Sequence, residues 1–269
     1  ISKMFTFVRN KVDRNIKTIY PLGLIYIASY VPEHWDVVII DEQIKKVNLD
    51  IEADLVGIST TTITANRAYE LSKEFQARGK KVILGGVHAS LCPEEAKRFC
   101  DSVIIGDAEE IMSVVIKDFE ENTLKKEYKG SLMNLDNLKM PRHELFSKKY
   151  EFLPVNTSRG CPFNCSFCAI NKFYNGRYRT RGVDHVISEL KQLPKGYNTV
   201  FFTDGNMYGY SKNDIIRFKE ICRRIIEERK KGTIPFKYFT CYASVNALDD
   251  EEALDLAAKA GCLSLFVGF

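Results

Sequence analysis

The sequence predicts an α/β chain: a doubly wound, Rossmann-like parallel sheet over residues 1–130, a linker over 131–150, and a partial β/α, TIM-like barrel of four strands over 151–269. Three observations predict it. Short β-branched runs, apolar on both faces, alternate with helical patterns, as expected of parallel strands buried between helix layers. The periodicity fades around 131–150, a polar stretch holding Met140-Pro141-Arg142. A second alternating series then begins and stops at its fourth strand.

Each element follows from its local pattern. Residues 4–8 form a strand, and Pro21 opens a helix over 22–31 from the first-turn position that proline tolerates. Strands follow at 37–40 and 55–59, then an amphipathic helix at 65–78 stopped by Gly79. A strand at 82–84 runs into Gly85-Gly86, followed by a short helix at 93–99, a strand at 103–105 and a helix at 109–121. In the second half, strands are expected at 152–157, 199–203, 237–240 (ending near Ser244) and 263–267, with helices at 183–192, 213–231 and 249–260 between them. The chain starts on Ile1 and stops on Phe269 in an apolar run, so a barrel truncated after four strands is expected.

Composition excludes several classes. With 39 basic and 35 acidic residues the formal charge is only +4, and no basic stripe with interleaved aromatics suggests nucleic acid. The longest apolar stretch, 22–31, is about half of what a membrane span needs. Residues 1–10 lack the apolar core and cleavage site of a signal peptide. A cytoplasmic, reducing location is therefore expected, where clustered cysteines bind metal more often than they pair. Of the eight cysteines, Cys92, Cys100, Cys222, Cys241 and Cys262 are scattered and are expected to be small buried hydrophobes.

The other three lie in Ser158-Arg159-Gly160-Cys161-Pro162-Phe163-Asn164-Cys165-Ser166-Phe167-Cys168. Thiolates separated by three and then two residues can converge on one face of an iron–sulfur cubane. A 4Fe-4S cluster normally takes four cysteines, so three leave one iron open to a non-protein ligand. The alternative is structural zinc, whose fourth ligand would come from Cys222, Cys241, Cys262 or His185; no second paired motif exists.

This loop, with an aromatic residue before its last cysteine and a strand before its first, resembles the radical SAM superfamily. The resemblance implies that Cys161, Cys165 and Cys168 hold a 4Fe-4S cluster and that its open iron chelates S-adenosylmethionine. Electron transfer then gives a 5′-deoxyadenosyl radical that abstracts hydrogen from a substrate. By the same resemblance Phe167 lies near the adenine, and Asp204 and Ser244, at the ends of the second and third barrel strands, are candidates for touching S-adenosylmethionine. Asp204-Gly205-Asn206 departs from the Gly-Gly-Glu-like segment of the family, and Asp204 is equally a turn residue. Arg177, Arg179 and Arg181 could reach an anionic group or form a solvated approach to a helix. The run 223–231 is a mixed-sign helix surface.

The first half resembles the cobalamin-binding domain that precedes the barrel in one radical SAM class. The matching stretches are Tyr20-Pro21-Leu22-Gly23-Leu24, Gly57-Ile58-Ser59-Thr60-Thr61, Leu84-Gly85-Gly86-Val87-His88-Ala89-Ser90 and Ile105-Gly106-Asp107-Ala108-Glu109-Glu110. Gly85 and Gly86 would let backbone approach a bulky ligand, and Ser59 and Thr61 could bond its nucleotide tail. Gly106 and His88 join them as candidate cobalamin contacts; His88 could equally be a helix-entry histidine with an ordinary hydrogen bond. The loop at 13–18 lacks the histidine that classical base-off proteins place under cobalt.

The resemblance implies a cobalamin-dependent radical SAM methyltransferase acting on an unactivated carbon of a small-molecule or peptide substrate, fed by a reductant such as flavodoxin or ferredoxin. Two alternatives stay open: a radical SAM enzyme that forms or rearranges rings with a non-methylating first domain, and a non-catalytic iron–sulfur protein.

Overall fold

The computed structural model describes residues 3–9, 20–145 and 150–268. They divide into two compact units. The first holds 3–9, 21–133 and 139–145, and the second holds 20, 134–138 and 150–268.

The first unit runs β1 (Lys3–Arg9), α1 (Leu22–Ala28), β2 (Trp35–Asp41), β3 (Leu55–Ser59), α2 (Ala65–Ala77), β4 (Lys81–Gly85), α3 (Val87–Leu91), α4 (Pro93–Ala96), β5 (Ser102–Ile105), α5 (Met112–Glu120) and β6 (Glu127–Lys129). Its strands form one parallel sheet in the order β2-β1-β3-β4-β5-β6. The order reverses between β1 and β3, so the ligand crevice of such a sheet opens beyond the carboxyl ends of the strands there.

Alternation along the strands builds a core on each face. Val56, Ile58, Val82 and Leu84 pack with Ala68, Leu71 and Phe75 of α2. Phe5, Phe7, Leu55, Ile83 and Ile104 pack with Leu24 and Ala28 of α1 and Met112, Val115 and Ile116 of α5. Each fully buried aliphatic side chain contributes roughly 1.5–3 kcal/mol, against about 1 kcal/mol for a helix cap. None of α1, α2 and α5 has a side-chain N-cap bond, so two-sided burial is what holds these helices.

Several elements differ from expectation. The helix expected at 93–99 covers only Pro93–Ala96, and an unexpected short helix, Val87–Leu91, precedes it; Pro93 separates the two by holding Cys92 out of the helical region, at φ −128° and ψ 54°. The helix expected at 109–121 begins at Met112, and the one at 22–31 stops at Ala28. Strand β6 carries no apolar run and was not expected; it survives at the sheet edge through the buried Tyr128.

The second unit runs β7 (Leu153–Val155), β8 (Ser158–Arg159), α6 (Ala169–Phe173), β9 (Arg179–Thr180), α7 (Val183–Gln192), β10 (Thr199–Phe202), α8 (Lys212–Lys230), β11 (Tyr238–Ser244), α9 (Glu251–Lys259) and β12 (Cys262–Gly268). Strands β7, β10, β11 and β12 form a four-stranded parallel sheet, a partial β/α barrel. One face buries Val155, Val200, Phe202, Phe239 and Cys241 in the core to which α7 and α8 supply Leu190, Ile221 and Ile225. On the other face Phe201, Tyr242 and Phe266 form a ring cluster with centroids 5.4–6.0 Å apart. Helix α8 starts on a capping box, Ser211 with Asp214. Among the described residues no helix is long and apolar enough to cross a membrane.

Candidate functional site

In the second unit the three clustered cysteines lie on an excursion, 160–178, whose base is closed by the antiparallel pair β8–β9. Gly160 turns at φ +87°, where a Cβ would meet the Arg177 carbonyl oxygen at 2.0 Å. Only glycine fits there. Below the pair, Asp204 just past β10 is buried and accepts from the Thr157 amide (3.0 Å), Thr157 Oγ1 (2.8 Å) and Ser158 Oγ (2.5 Å). Arg217 of α8 donates to the Thr157 carbonyl at 2.5 Å and the Arg181 carbonyl at 2.7 Å. Tyr178 donates its hydroxyl to the Asn206 carbonyl at 3.0 Å. The loop is thus bolted to the carboxyl ends of β7 and β10.

Burial pushes the Asp204 carboxyl up, and its bonds to Ser158 and Thr157 pull the other way without cancelling that. Asp204 is a positioning residue for the loop in this structure, a role the sequence reading did not give it. Gly205 supplies the close approach: a Cβ there would lie 2.7 Å from the Gly160 carbonyl oxygen and 3.3 Å from Cys161 Cβ.

All three cysteines are free, Cys165 exposed and Cys161 and Cys168 half-buried. Burial pushes the Cys161 thiol up, and its neighbours Cys168 and Cys165 add to the rise. A mononuclear zinc, with Zn–S bonds of about 2.3 Å, needs its sulfurs within roughly 4 Å of one another. Among the described residues, the one set of three or more ligating atoms all within 4.8 Å is His88, Cys92 and Glu95, not this trio. The fourth zinc ligands considered are also committed elsewhere. Cys222 and Cys241 are buried in the core, Cys262 is hydrogen-bonded to Cys241, and His185 Nδ1 accepts from Arg181. Three free thiols on one short loop are the donor set that a 4Fe-4S cluster with one iron open to a non-protein ligand would take.

Phe167 is 89% exposed beside Cys168. Ser244, at the end of β11, accepts from Asn206 Nδ2 at 2.9 Å and donates to Oδ1 of Asn246, two residues along the chain. The structure thus brings Asp204, Asn206 and Ser244 to the carboxyl rim that carries the cysteine loop. Three expectations need correction. Arg181 is not solvated: its guanidinium is buried against Glu189 (2.5 Å) and the Asn156 carbonyl (2.6 Å). In the run 223–231, Glu228 is buried and bonded to Lys191 and Thr233. Of the five scattered cysteines, Cys100, Cys222 and Cys241 are buried, whereas Cys92 is exposed and Cys262 half-exposed. Sequence reading missed Tyr178 and Arg217. Nothing local marks either; the signal is the charge of Arg217 on an otherwise buried helix face.

In the first unit, Ser59, Thr61, Gly85, Gly86 and Gly106 lie at the carboxyl ends of β3, β4 and β5. Thr61 is exposed and caps the turn Thr62–Thr64. Gly86, at φ +91°, would drive a Cβ to 2.7 Å from the Thr60 carbonyl oxygen, so the meeting of the β3 and β4 ends by itself requires glycine there. Around Gly85 a Cβ would meet nothing nearer than Ile104 Cβ at 4.0 Å, which leaves room for one. Gly106 donates its amide to Ser90 Oγ at 2.9 Å. His88 is buried, with Nε2 3.0 Å from the Tyr69 hydroxyl, as the ordinary-hydrogen-bond alternative required. The loop at 13–18 lies outside the described residues.

A three-thiol loop at the mouth of a β/α sheet, in a chain that also carries a doubly wound ligand-binding sheet, defines a two-domain metallocofactor protein. Residues 17–116 match the family described as B12 binding domain, and residues 155–269 match the Radical SAM superfamily. The chain belongs to the radical SAM superfamily, in its class with a B12-binding domain. The cofactors that go with these domains are a 4Fe-4S cluster, S-adenosylmethionine and cobalamin.

Among similar proteins, the bacteriochlorophyllide d C-8(2)-methyltransferase of Chlorobaculum tepidum is 31% identical over 95% of this chain and 58% of its own length. The anaerobic magnesium-protoporphyrin IX monomethyl ester cyclase of Rubrivivax gelatinosus is 24% identical over 92% of this chain and 51% of its own. The solved structure of the radical S-adenosylmethionine methyltransferase TsrM from Kitasatospora setae, with cobalamin and cluster bound, superposes with a TM-score of 0.77 at 18% identity, covering 100% of this chain and 61% of that one. The chain thus spans a little over half the length of the curated relatives it matches.

Proposed function

We propose that the chain is the cofactor-bearing part of a cobalamin-dependent radical SAM methyltransferase that acts on an unactivated carbon of a small molecule. The carrying observation is the three-thiol excursion clamped to the ends of β7 and β10 through Asp204, Tyr178 and Arg217. When bound, the cofactors supply reductive cleavage of S-adenosylmethionine and methyl transfer. The residues supply the rest. Cys161, Cys165 and Cys168 hold the cluster with one iron open, and Asp204 and Gly205 fix where Cys161 stands. Phe167 offers an apolar face to the adenine, and Asn206 with Ser244 gives the rim polar groups for the amino-acid end. Ser59, Thr61, Gly85 and Gly106 line the cobalamin side of the first sheet, with Gly86 and His88 shaping it from behind.

The names of the relatives favour an apolar polycyclic substrate, which suits the ring cluster Phe201, Tyr242 and Phe266 on the free face of the second sheet. A one-electron donor such as flavodoxin or ferredoxin and a cytoplasmic location complete the reading. Ring formation is a second reading, favoured by the likeness to a cyclase. The test is anaerobic turnover of the full-length protein with a chemical reductant. Both 5′-deoxyadenosine and S-adenosylhomocysteine are expected. The first without the second would favour ring formation, and neither would leave an iron–sulfur protein without this catalysis.

A further inference from the structure

A second set of metal-ligating groups lies in the first unit. The backbone of Cys92 donates to the His88 carbonyl at 2.8 Å, and that of Ala96 to the Cys92 carbonyl at 3.1 Å. These two bonds tie α3 to α4 across Cys92, which itself stands outside the helical region. Residues 88, 92 and 95 meet at this junction. Their ligand atoms all lie within 4.8 Å of one another.

The histidine is oriented for a metal. Nδ1 sits 3.3 Å from Thr62 Oγ1, and in the tautomer protonated at Nδ1 that hydroxyl accepts the proton. Nε2 then carries the lone pair, toward the Tyr69 hydroxyl at 3.0 Å and the Glu95 carboxylate at 3.6 Å. An outer hydrogen bond that fixes the tautomer in this way is typical of metal-bound imidazole. A hydrogen-bonded core histidine needs only Tyr69; it does not explain a thiol and a carboxylate gathered beside the ring.

We propose that His88 Nε2, Cys92 Sγ and a Glu95 carboxylate oxygen bind one divalent cation of the zinc class, with water as fourth ligand. One imidazole, one thiolate and one carboxylate suit a borderline-soft ion in tetrahedral geometry, and the two anions balance its charge. Cys92 releases its proton on binding. Bond lengths of about 2.0–2.3 Å require the exposed Cys92 and Glu95 side chains to close by roughly 1 Å on a fixed His88. The ion would pin the α3–α4 turn, and with it Ser90, whose hydroxyl bonds both the Gly86 carbonyl (2.8 Å) and the Gly106 amide (2.9 Å).

The experiment uses protein whose cluster has been reconstituted and then desalted, so that the three loop cysteines are occupied. Zn2+ affinity is read by competition with a chromophoric chelator, and Co2+ replaces it to read thiolate-to-cobalt charge transfer. One equivalent with a thiolate band is expected. Cys92→Ser should abolish the band and weaken Zn2+ about 100-fold, and Glu95→Gln should weaken it about tenfold with the band kept. No chelator-resistant Zn2+ in the parent protein, or an unchanged band in Cys92→Ser, overturns the site. Where Cys92→Ser unfolds, the half-exposed Glu95 decides: unchanged Zn2+ affinity in Glu95→Gln overturns it equally.

Discussion

The carboxylate of Asp204 receives both the backbone amide and the hydroxyl of Thr157, at 3.0 and 2.8 Å, in a spot with 1% exposure for Asp204. One side chain thus joins the end of the second barrel strand to the segment that launches the cysteine loop. In Asp204→Ala the Thr157 amide, Thr157 Oγ1 and Ser158 Oγ lose this acceptor inside the protein. Unsatisfied buried donors cost roughly 1–3 kcal/mol each, partly relieved by water, so a loss of about 3 kcal/mol is expected in urea unfolding. Iron retained after desalting should fall with it. A variant as stable as the parent and fully loaded with iron would show that the loop stands without this anchor.

Gly205 tests the same anchor without touching charge. A methyl group there meets the Gly160 carbonyl oxygen at 2.7 Å and Cys161 Cβ at 3.3 Å, both on the loop it would have to displace. Gly205→Ala is expected to shift Cys161 and lower cluster occupancy severalfold, with global unfolding moved by less than in Asp204→Ala. Gly23→Ala, where nothing lies within 4 Å, is the matched control and should leave iron content unchanged. Iron and sulfide content, with the spectrum of the reduced cluster, checks both.

Sequence reading recovered nine of the twelve described strands, missing β6 and the two-residue β8 and β9, because alternation and two-sided apolar runs are local. What it lost shows where local pattern ends. Strand β6 is held by the burial of Tyr128 and by a parallel neighbour, neither visible in Glu127-Tyr128-Lys129. Arg181 carries the same letter as the exposed Arg177, and only tertiary burial against Glu189 separates them. The three cysteines were legible because a cluster needs its thiols within one short loop. The groups that hold that loop, Asp204, Tyr178 and Arg217, come from three distant segments, and no spacing rule connects them.

Arg181 and Glu189 form a buried pair at 2.5 Å, with side-chain exposures of 1% and 0%. Arg181→Met strips Glu189 of the guanidinium and frees the Asn156 carbonyl as well. Breaking one side of such a pair costs about 3–5 kcal/mol, whereas replacing both sides with apolar groups of similar volume is often close to neutral. The double variant Arg181→Met/Glu189→Leu should therefore recover most of the loss in Arg181→Met. A double variant no more stable than the single one would mean that the pair also orders the β8–β9 base.

Glu228 gives the pH dependence. Bonds from Lys191 and Thr233 hold its carboxyl down, at about 2. A carboxylate depressed in the folded state adds stability that is fully present above its unfolded value, roughly 4.3, and is lost as pH falls from there toward about 2. Parent and Glu228→Gln stabilities should differ at pH 6 and converge steadily below pH 4. A constant gap between the two curves down to pH 3 would show that the variant acts through packing alone.

The paired glycines at the end of β4 separate a cofactor role from a folding role. At Gly86 the backbone is left-handed, φ +91°, and a Cβ would press on the Thr60 carbonyl oxygen at 2.7 Å and the Thr60 nitrogen at 2.9 Å. Gly86→Ala must therefore part β3 from β4, and it should lower stability and cobalamin retention together. At Gly85 the added methyl finds only Ile104 Cβ, at 4.0 Å, and the backbone is not left-handed. Gly85→Ala should keep the unfolding midpoint within about 0.5 kcal/mol of the parent. If cobalamin lies against this strand end, the same methyl occupies its space, and retained cobalamin in the desalted protein should drop at least tenfold with the cluster intact. Full retention in Gly85→Ala would move the cofactor off β4 and leave Ser59, Thr61 and Gly106 as its remaining contacts on this sheet.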